Sequence, residues 1–378
     1  MTILNKVEKY LFVMGSFGAG GTERVVMLLA NKLVDNGHKV TVLSTGTDNS
    51  SNLPYQADNR IRLIDRSNLD ISDKIKVKSL RFLRRLTIFI KKNCITTIVF
   101  MNDDIAYLTV PFVFYLPCKL FIAIRNDPMY LKNHFIKRVL GLFFGWKFSF
   151  IFQNEQQFLS YSKNIYRPHD LTIVANPVTL FKYSKYIPAE LKHYLYQGNK
   201  IYIAIASKFY QKGVDISIQG FLSADIKGYA LLILIGSDNS SSLQSYVNKL
   251  LAASGNPVNK SILVLPKINY ITSLFPICDA LLFSSRYEGM PNLLLESYFF
   301  SVPTILHSAV SRLIPCLMRK YHVTYDGEND SDKIDNLRTR LEENLPRNLC
   351  KTNIREINNM VEAYNKEVVD KWINTLSR

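Results

Sequence analysis

The sequence is short of everything that would tie it to an oxidising compartment or let sulfur hold a metal. Its five cysteines, Cys94, Cys118, Cys278, Cys316 and Cys350, are scattered, odd in number and never spaced as CxxC. A disulfide framework and a cysteine-zinc site are therefore excluded, and the thiols read as reduced, in a cytosolic protein. The six histidines, His38, His134, His169, His193, His307 and His322, show no H-x3-H spacing. Asp-x-Asp, a frequent metal-binding triplet, occurs only as Asp330-Ser331-Asp332, in a polar stretch read as a loop. No metal is expected. Long apolar runs are missing too. The most lipid-like window, 105–124, is interrupted by Pro111, Pro117 and Lys119, whereas a spanning helix needs about 20 uninterrupted residues. That window reads as a buried helix, a turn and a buried strand. Residues 1–10 carry charges and no apolar core, unlike a signal peptide. The expectation is a cytoplasmic protein, soluble or peripheral on a membrane. Acidic residues are the scarcer sign, 31 against 47 Lys plus Arg, a surplus of +16. Such a balance favours phosphorylated substrates, acidic lipid or nucleic acid. Nothing resembles an RNP motif, a zinc finger or a basic heptad region, so nucleic acid is not expected.

What is present is an α/β pattern repeated twice. At 378 residues the chain exceeds one ordinary core, and two domains of about 180 residues each are the natural division. The apolar run 10–14 ends in Gly15-Ser16-Phe17-Gly18-Ala19-Gly20-Gly21; a helical pattern follows over 22–36, Gly37 stops it, and 39–44 is the next strand. Strand, glycine turn, helix and strand make a βαβ unit. Further strands are expected at 97–101, 120–124, 148–152 and 172–174, with a helix at 81–92. All are continuous apolar runs, as strands buried on both faces of a parallel sheet should be. The polar, tyrosine-rich stretch 181–200 reads as a connection, and a second series follows at 201–206, 231–235, 262–265, 280–283 and 304–306. The predicted fold is α/β with two Rossmann-like, doubly wound domains, 1–180 and 181–359, facing across a cleft. Ligands are expected at the carboxyl ends of the strands. The tail 353–376 is helical in pattern, and its part from about 360 to 378 is expected to pack back on the first domain.

The sharpest chemical signal is Glu288-Gly289-Met290-Pro291-Asn292-Leu293-Leu294-Leu295-Glu296, just after the strand at 280–283. A Gly, Pro and Asn loop feeding an apolar helix presents backbone N–H groups at a helix N-terminus, which suits a diphosphate. Glu296 falls near the helix start, and Glu288 precedes it. This stretch resembles the Glu-x7-Glu motif of the GT4 family of glycosyltransferases, which have the GT-B fold. The resemblance implies that Glu296 binds the ribose hydroxyls of a nucleotide and that Glu288 holds hydroxyls of the transferred sugar. It implies that the backbone of Gly289, Met290, Pro291, Asn292 and Leu293 lines the sugar and diphosphate.

A second signal agrees. Ser207-Lys208-Phe209-Tyr210-Gln211-Lys212-Gly213 follows the first strand of the second series. Lys208 and Lys212 are placed there to neutralise a leaving diphosphate. The family usually shows Arg where Lys208 stands, so a bidentate fork is lost while the charge is kept. In the first domain, Gly18-Ala19-Gly20-Gly21-Thr22-Glu23-Arg24 is not G-x-G-x-x-G, because Glu23 occupies the last glycine position. It resembles the family's Gly-Gly-x-Glu loop, in which Gly20 and Gly21 approach the donor phosphates. Arg125-Asn126-Asp127-Pro128 follows the strand 120–124; Arg125 is read toward phosphate or acceptor and Asn126 toward the sugar, with a plain strand-to-helix turn as the alternative. After 304–306 the family's Gly-rich loop is replaced by His307-Ser308-Ala309-Val310-Ser311-Arg312.

The resemblance implies a retaining, metal-independent glycosyltransferase that needs no cofactor. Its donor would be a nucleotide-diphosphate sugar, UDP-linked by family habit. Its acceptor would be a glycan on a lipid-linked oligosaccharide of bacterial surface polysaccharide, O-antigen or capsule. A non-catalytic sugar-nucleotide or membrane-binding module, or a GT-B-like epimerase, is the alternative. Lys132, Lys137, Arg138 and Lys147 interleave with Leu131, Phe135, Ile136, Leu140, Leu142, Phe143, Phe144 and Trp146. The segment 131–146 is therefore either a basic, aromatic helix on an anionic membrane or packing against the first sheet.

Overall fold

Seven strands of the first half form one parallel sheet. They are β1 (Lys9–Met14), β2 (Lys39–Ser44), β3 (Arg62–Ile64), β4 (Thr97–Phe100), β5 (Lys119–Ala123), β6 (Phe148–Phe152) and β7 (Asp170–Ile173), in the order β3-β2-β1-β4-β5-β6-β7. The computed structural model describes residues 7–18, 21–46, 57–66, 69, 78–125, 134–179, 187–195, 199–236, 240–255, 257–266, 268, 271–343 and 353–378. Alternate side chains of a strand point to opposite faces, and here both faces are covered. Tyr10, Phe12 and Met14 enter one core cluster, while Leu11 and Val13 enter another. The helices of this half are α1 (Gly21–Asp35), α2 (Lys78–Asn93), α3 (Asp103–Val113), α4 (His134–Phe144) and α5 (Glu155–Asn164). The window 105–124 is, as expected, helix, turn and strand: α3 continues through Pro111, and β5 follows.

The second half repeats the design. Its elements are α6 (Ala189–Leu195), β8 (Lys200–Ile205), α7 (Phe209–Lys212), α8 (Val214–Ser223), β9 (Ala230–Ile235), α9 (Ser240–Ala253), β10 (Lys260–Leu265), β11 (Ala280–Phe283), α10 (Asn292–Phe300), β12 (Thr304–His307), α11 (Ser308–Ser311), β13 (His322–Tyr325), α12 (Asp330–Glu342) and α13 (Ile354–Ser377). The strands pair in parallel in the order β10-β9-β8-β11-β12-β13. Each sheet reverses direction of winding once, between β1 and β4 in the first and between β8 and β11 in the second. The predicted class, two Rossmann-like parallel α/β units, is the one observed. The chain divides into one unit of Met1–Thr179 with Ala363–Arg378 and another of Leu180–Glu362.

Two expectations change. The stretch 181–200 is not connection throughout, since α6 forms within it. Asp330-Ser331-Asp332 opens α12 instead of lying in a loop: the Asn329 side chain caps the helix by accepting from the Asp332 N–H at 2.9 Å, which satisfies an otherwise orphan donor. In α13, Trp372 is fully buried and its indole N–H donates to the Ala175 carbonyl at 3.0 Å. Tyr364 donates to the Asn176 carbonyl at 2.9 Å, and the Asn365 side chain accepts from the Val178 N–H at 2.8 Å. These bonds hold α13 to the segment that follows β7.

Candidate active site

The loops after β8 and β11 leave the sheet of the second unit on either side of its winding reversal, where open α/β sheets gather ligands. They are tied to each other by charge. Lys212, at the end of the single-turn α7, donates to the Glu288 carboxylate at 2.6 Å. Both side chains are mostly enclosed, 19% and 10% exposed. The ammonium also lies 5.5 Å from the Phe283 ring centroid. Gly213 ends α7 with a positive φ of 59°, and a Cβ there would stand 2.0 Å from the Ser284 carbonyl oxygen. Only glycine lets the two loops come this close.

Arg286 fastens the pair. Its guanidinium forks onto Asp215 at 3.0 and 2.6 Å and onto Asp330 at 3.3 and 2.6 Å. It also donates to the Tyr210 carbonyl at 2.7 Å and sits 4.2 Å from the Tyr210 ring centroid. The hydrogen bond to Asp215 chiefly raises the Arg286 pKa, and Arg286 holds Asp330 below the usual carboxylate range. Backbone and hydroxyl contacts add to this: the Arg286 N–H donates to the Gln211 carbonyl at 2.9 Å, and Ser217 donates to the Ser284 hydroxyl at 3.0 Å. Lys208 differs from Lys212. It adopts a left-handed backbone conformation, φ 51°, and its exposed side chain has no ion-pair partner among the described residues.

Gly289, Met290 and Pro291 are buried and lead into α10, whose N-cap residue, Pro291, makes no side-chain capping bond. Asn292 and Leu293 are half-buried in its first turn, and Glu296 is buried one turn on. The backbone therefore reaches a helix N-terminus beside Glu288 and Lys212, a place suited to negative charge. The departure at 307–312 proves to be the short helix α11, capped by the His307 ring, which accepts from the Ala309 N–H at 3.3 Å. The other ring nitrogen meets the Gly327 carbonyl at 3.1 Å, and burial lowers the His307 pKa.

The first unit gathers a second polar cluster at the carboxyl ends of its own strands. Ser16, after β1, donates to the buried Glu23 carboxylate of α1 at 3.0 Å. Arg125, beyond β5, donates to the Asn176 side-chain oxygen at 2.8 Å, and the Gln153 amide donates to the same atom at 2.7 Å. Gln157 completes the set by accepting from the Gln153 N–H at 2.8 Å. Burial pushes the Arg125 guanidinium down to about 10, with Glu23 opposing. Its Nε is enclosed with no hydrogen-bond partner, so this cation is held by fewer bonds than it can make.

Of the residues singled out in the sequence, Lys212, Glu288, Gly289, Met290, Pro291, Asn292, Leu293 and Glu296 come together with the Lys208 loop in the second unit. Gly21 opens α1 near Glu23, and Arg125 stands in the polar cluster of the first unit. Gly20 and Asn126 lie outside the described residues, as do Leu131 and Lys132. Arg286, Asp215, Gln153, Gln157 and Asn176 were not singled out. Arg286 stands two positions before Glu288, the one local hint of its place. Among the described residues, no three His, Cys, Asp or Glu side chains are grouped to hold a metal, and Asp330 is engaged by Arg286 instead.

Three of the four cations noted in and beside 131–146 have partners within the first unit. Lys137 is buried and paired with Asp103 at 2.5 Å and Asp104 at 2.8 Å. Arg138 donates to the Ile165 carbonyl at 2.9 Å, and Lys147 reaches the Leu116 carbonyl at 3.4 Å. Lys137 turns inward because it lies on the face of α4 that packs on α3, so three of the four cations serve the fold.

No family model matches the chain. A curated protein of Haemophilus influenzae, an uncharacterized glycosyltransferase, is 21% identical over 299 residues, 78% of this chain and 78% of its own. The crystal structure of Anabaena HepE in complex with UDP and glucose superposes with a TM-score of 0.67 at 14% identity, covering 98% of this chain and 97% of that one. WaaG, a glycosyltransferase involved in lipopolysaccharide biosynthesis, gives a TM-score of 0.65 at 16% identity, over 97% of this chain and 99% of its own. The fold is GT-B.

Proposed function

We propose that the chain is a retaining glycosyltransferase of the GT4 kind, moving a sugar from a nucleotide-diphosphate donor, a UDP-sugar, to a glycan acceptor. The observation that carries this reading is the Lys212–Glu288 pair beside the start of α10. A cation, a carboxylate and a helix N-terminus converge there at the winding reversal of a parallel sheet. In this reading Glu296 accepts from the ribose hydroxyls and Glu288 from sugar hydroxyls, while the N-terminus of α10 receives the diphosphate. As the glycosidic bond breaks, charge grows on the leaving phosphate, and Lys208 and Lys212 stabilise it more in the transition state than in the ground state. These lysines do what a divalent ion does elsewhere, so the reaction needs no metal. The leaving phosphate assists the incoming hydroxyl from the same face, which retains the anomeric configuration. The second unit serves the nucleotide sugar, and the first, through Arg125 and its neighbours, serves the acceptor. The acceptor is a lipid-linked oligosaccharide of a bacterial surface polysaccharide, O-antigen or capsule, at the inner face of the cytoplasmic membrane. The likeness to WaaG and the surplus of cations support this choice.

The test is nucleotide release from a panel of UDP- and GDP-sugars, with lipid-linked acceptors extracted from bacterial membranes, in the presence of EDTA. Transfer with retained configuration from one donor is the expected outcome. Nucleotide binding without release would leave a non-catalytic module, and activity restored only by one divalent ion would overturn metal independence.

A further inference from the structure

The loops after β8 and β11 hold no surplus of positive charge. Lys212 is neutralised by Glu288 at 2.6 Å, largely out of water. Arg286 is neutralised by Asp215 and Asp330, and its remaining bond goes to the Tyr210 carbonyl, so it cannot stand in for Lys212. Of these three cations, Lys208 alone has no ion-pair partner among the described residues. Glu296 adds a fourth carboxylate, buried one turn along α10. A diphosphate arriving here meets Lys208 and the start of α10, and it meets Lys212 only if that ammonium leaves Glu288. Glu288 has no charged partner besides Lys212 among the described residues. An enclosed ion pair is a poor device for stability alone, because desolvation offsets much of the attraction. Its reason is therefore sought in the ligand.

A nucleotide sugar and the nucleotide it leaves behind differ at this place in charge and in donors. In the sugar nucleotide the terminal phosphate is esterified on both sides and carries a single negative charge, and the sugar brings hydroxyls that can donate to a carboxylate. Transfer breaks the bond between the anomeric carbon and the terminal phosphate oxygen, and the electron pair stays on that oxygen. The acceptor hydroxyl gives its oxygen to the carbon and its proton to the phosphate. With a second pKa of about 6, that proton passes largely to solvent at pH 7, which leaves about −1.5 to −2 on the terminal phosphate. The product is thus the more negative of the two and has lost the hydroxyls. A carboxylate beside it loses its donors and meets a like charge.

We propose that Glu288 is the residue by which the site discriminates a nucleotide sugar from a bare nucleoside diphosphate. It accepts from the sugar while the sugar is present. Once the sugar has gone, it reclaims Lys212 and repels the terminal phosphate, which speeds release of the product. The inference rests on the reading of these loops as the donor site and adds a role that sugar binding by Glu288 does not require. The test is calorimetry of the full chain with UDP, UMP, GDP and GMP, none of which carries a sugar to transfer. With the preferred nucleoside, the wild type should bind the diphosphate only a few-fold more tightly than the monophosphate. Glu288→Gln should bind the diphosphate roughly tenfold more tightly than the wild type, because a like charge is gone and Lys212 is released. Its affinity for the monophosphate should be unchanged. Glu288→Asp keeps the charge and should stay near the wild type. Glu288→Gln combined with Lys212→Gln should lose most of the gain, since the gain belongs to Lys212. The gain should also shrink at high salt and below about pH 6, where the terminal phosphate regains its proton. A residue that served only the sugar hydroxyls or only the fold would leave diphosphate binding by Glu288→Gln unchanged or weaker, and either result would overturn the proposal. Failure of the wild type to bind any of these nucleotides would remove the donor reading itself, and the proposal with it.

Discussion

Arg286→Ala should be the most damaging single change in the second unit that touches neither the Lys212–Glu288 pair nor α10. The Asp215 fork is largely enclosed, with side chains 6% and 22% exposed, so its charge-assisted bonds are worth about 1.5–3 kcal/mol. The Asp330 fork faces a carboxylate 47% exposed and adds at most about 1 kcal/mol. The Tyr210 ring beneath the guanidinium contributes about 0.5–1 kcal/mol. Together these come to about 3 kcal/mol, and part of the loss is the cost of leaving Asp215 without its partner. A two-unit chain does not unfold in one step, so the assay is calorimetry that follows the transition of the second unit. At about 2–4 °C per kcal/mol for a domain of this size, its Tm should fall by about 6–12 °C. Arg286→Lys should recover little, since an ammonium cannot span two carboxylates as a fork does. A shift below about 2 °C for Arg286→Ala would refute the claim that this side chain fastens the two loops together.

Glu296→Ala should weaken binding of the donor nucleotide by about 1.5–3 kcal/mol, roughly 10–150-fold, because ribose hydroxyls lose a charged acceptor; unchanged calorimetric affinity removes that role. Lys208→Ala and Lys212→Ala should each lower kcat on the order of 100-fold with smaller changes in nucleotide affinity. Lys208 is the cleaner probe, since it has no ion-pair partner among the described residues to disturb, and wild-type rates in both variants would place the diphosphate elsewhere. Burial, with Arg319 adding repulsion, holds His322 down to about 4 from its ordinary 6.5. The unfolded chain therefore binds this proton more readily, so stability is full above about pH 6.5 and declines toward pH 4, by roughly 3 kcal/mol in all. Chemical denaturation at pH 7 and 4.5 should show that loss and a smaller one in His322→Gln; equal losses would clear the histidine.

Most strands were legible because a strand covered on both faces must be apolar at every position, and such runs stand out without periodicity; β3 and β13, short, partly exposed and opened by Arg62 and His322, were not read. The β6 and β11 runs match the sequence reading end to end, whereas β1, β5 and β8 begin one residue earlier, at Lys9, Lys119 and Lys200. A first residue can pair through its backbone while its side chain stays in water, so polarity does not mark it. In the candidate site, the spacing of Glu288 and Glu296 is local and could be read directly. The contact of Lys212 with Glu288 spans 76 residues, and those of Arg286 span 71 and 44, so only the sheet order brings them together. Lys137 misled for the same reason, because its partners lie more than thirty residues earlier in the chain, where a helical pattern cannot see them.

The surplus of positive charge then divides in two according to the polarity of the sheets. In a parallel sheet every strand starts on one edge and every following helix returns to it, so helix C-termini with unsatisfied carbonyls crowd the amino edge. Lysines that open strands meet that need. Lys9 donates to the Asn93 carbonyl at the end of α2 at 3.0 Å, and Lys119 to the Ser377 carbonyl at the end of α13 at 3.1 Å. Lys260 donates to the Leu222 carbonyl at the end of α8 at 2.6 Å and also reaches that of Ala224. Arg138 does the same for the end of α5, through the carbonyls of Ile165 and Asn164. These cations complete the fold and carry no information about a ligand. At the carboxyl edge helix N-termini already supply partial positive charge; Arg286 is held there by Asp215 and Asp330 to fasten the loops, and cations beyond it are not called for by strand or helix ends. Lys208, Lys212 and Arg125 stand there, and that placement, more than the total of +16, is what points to an anionic substrate.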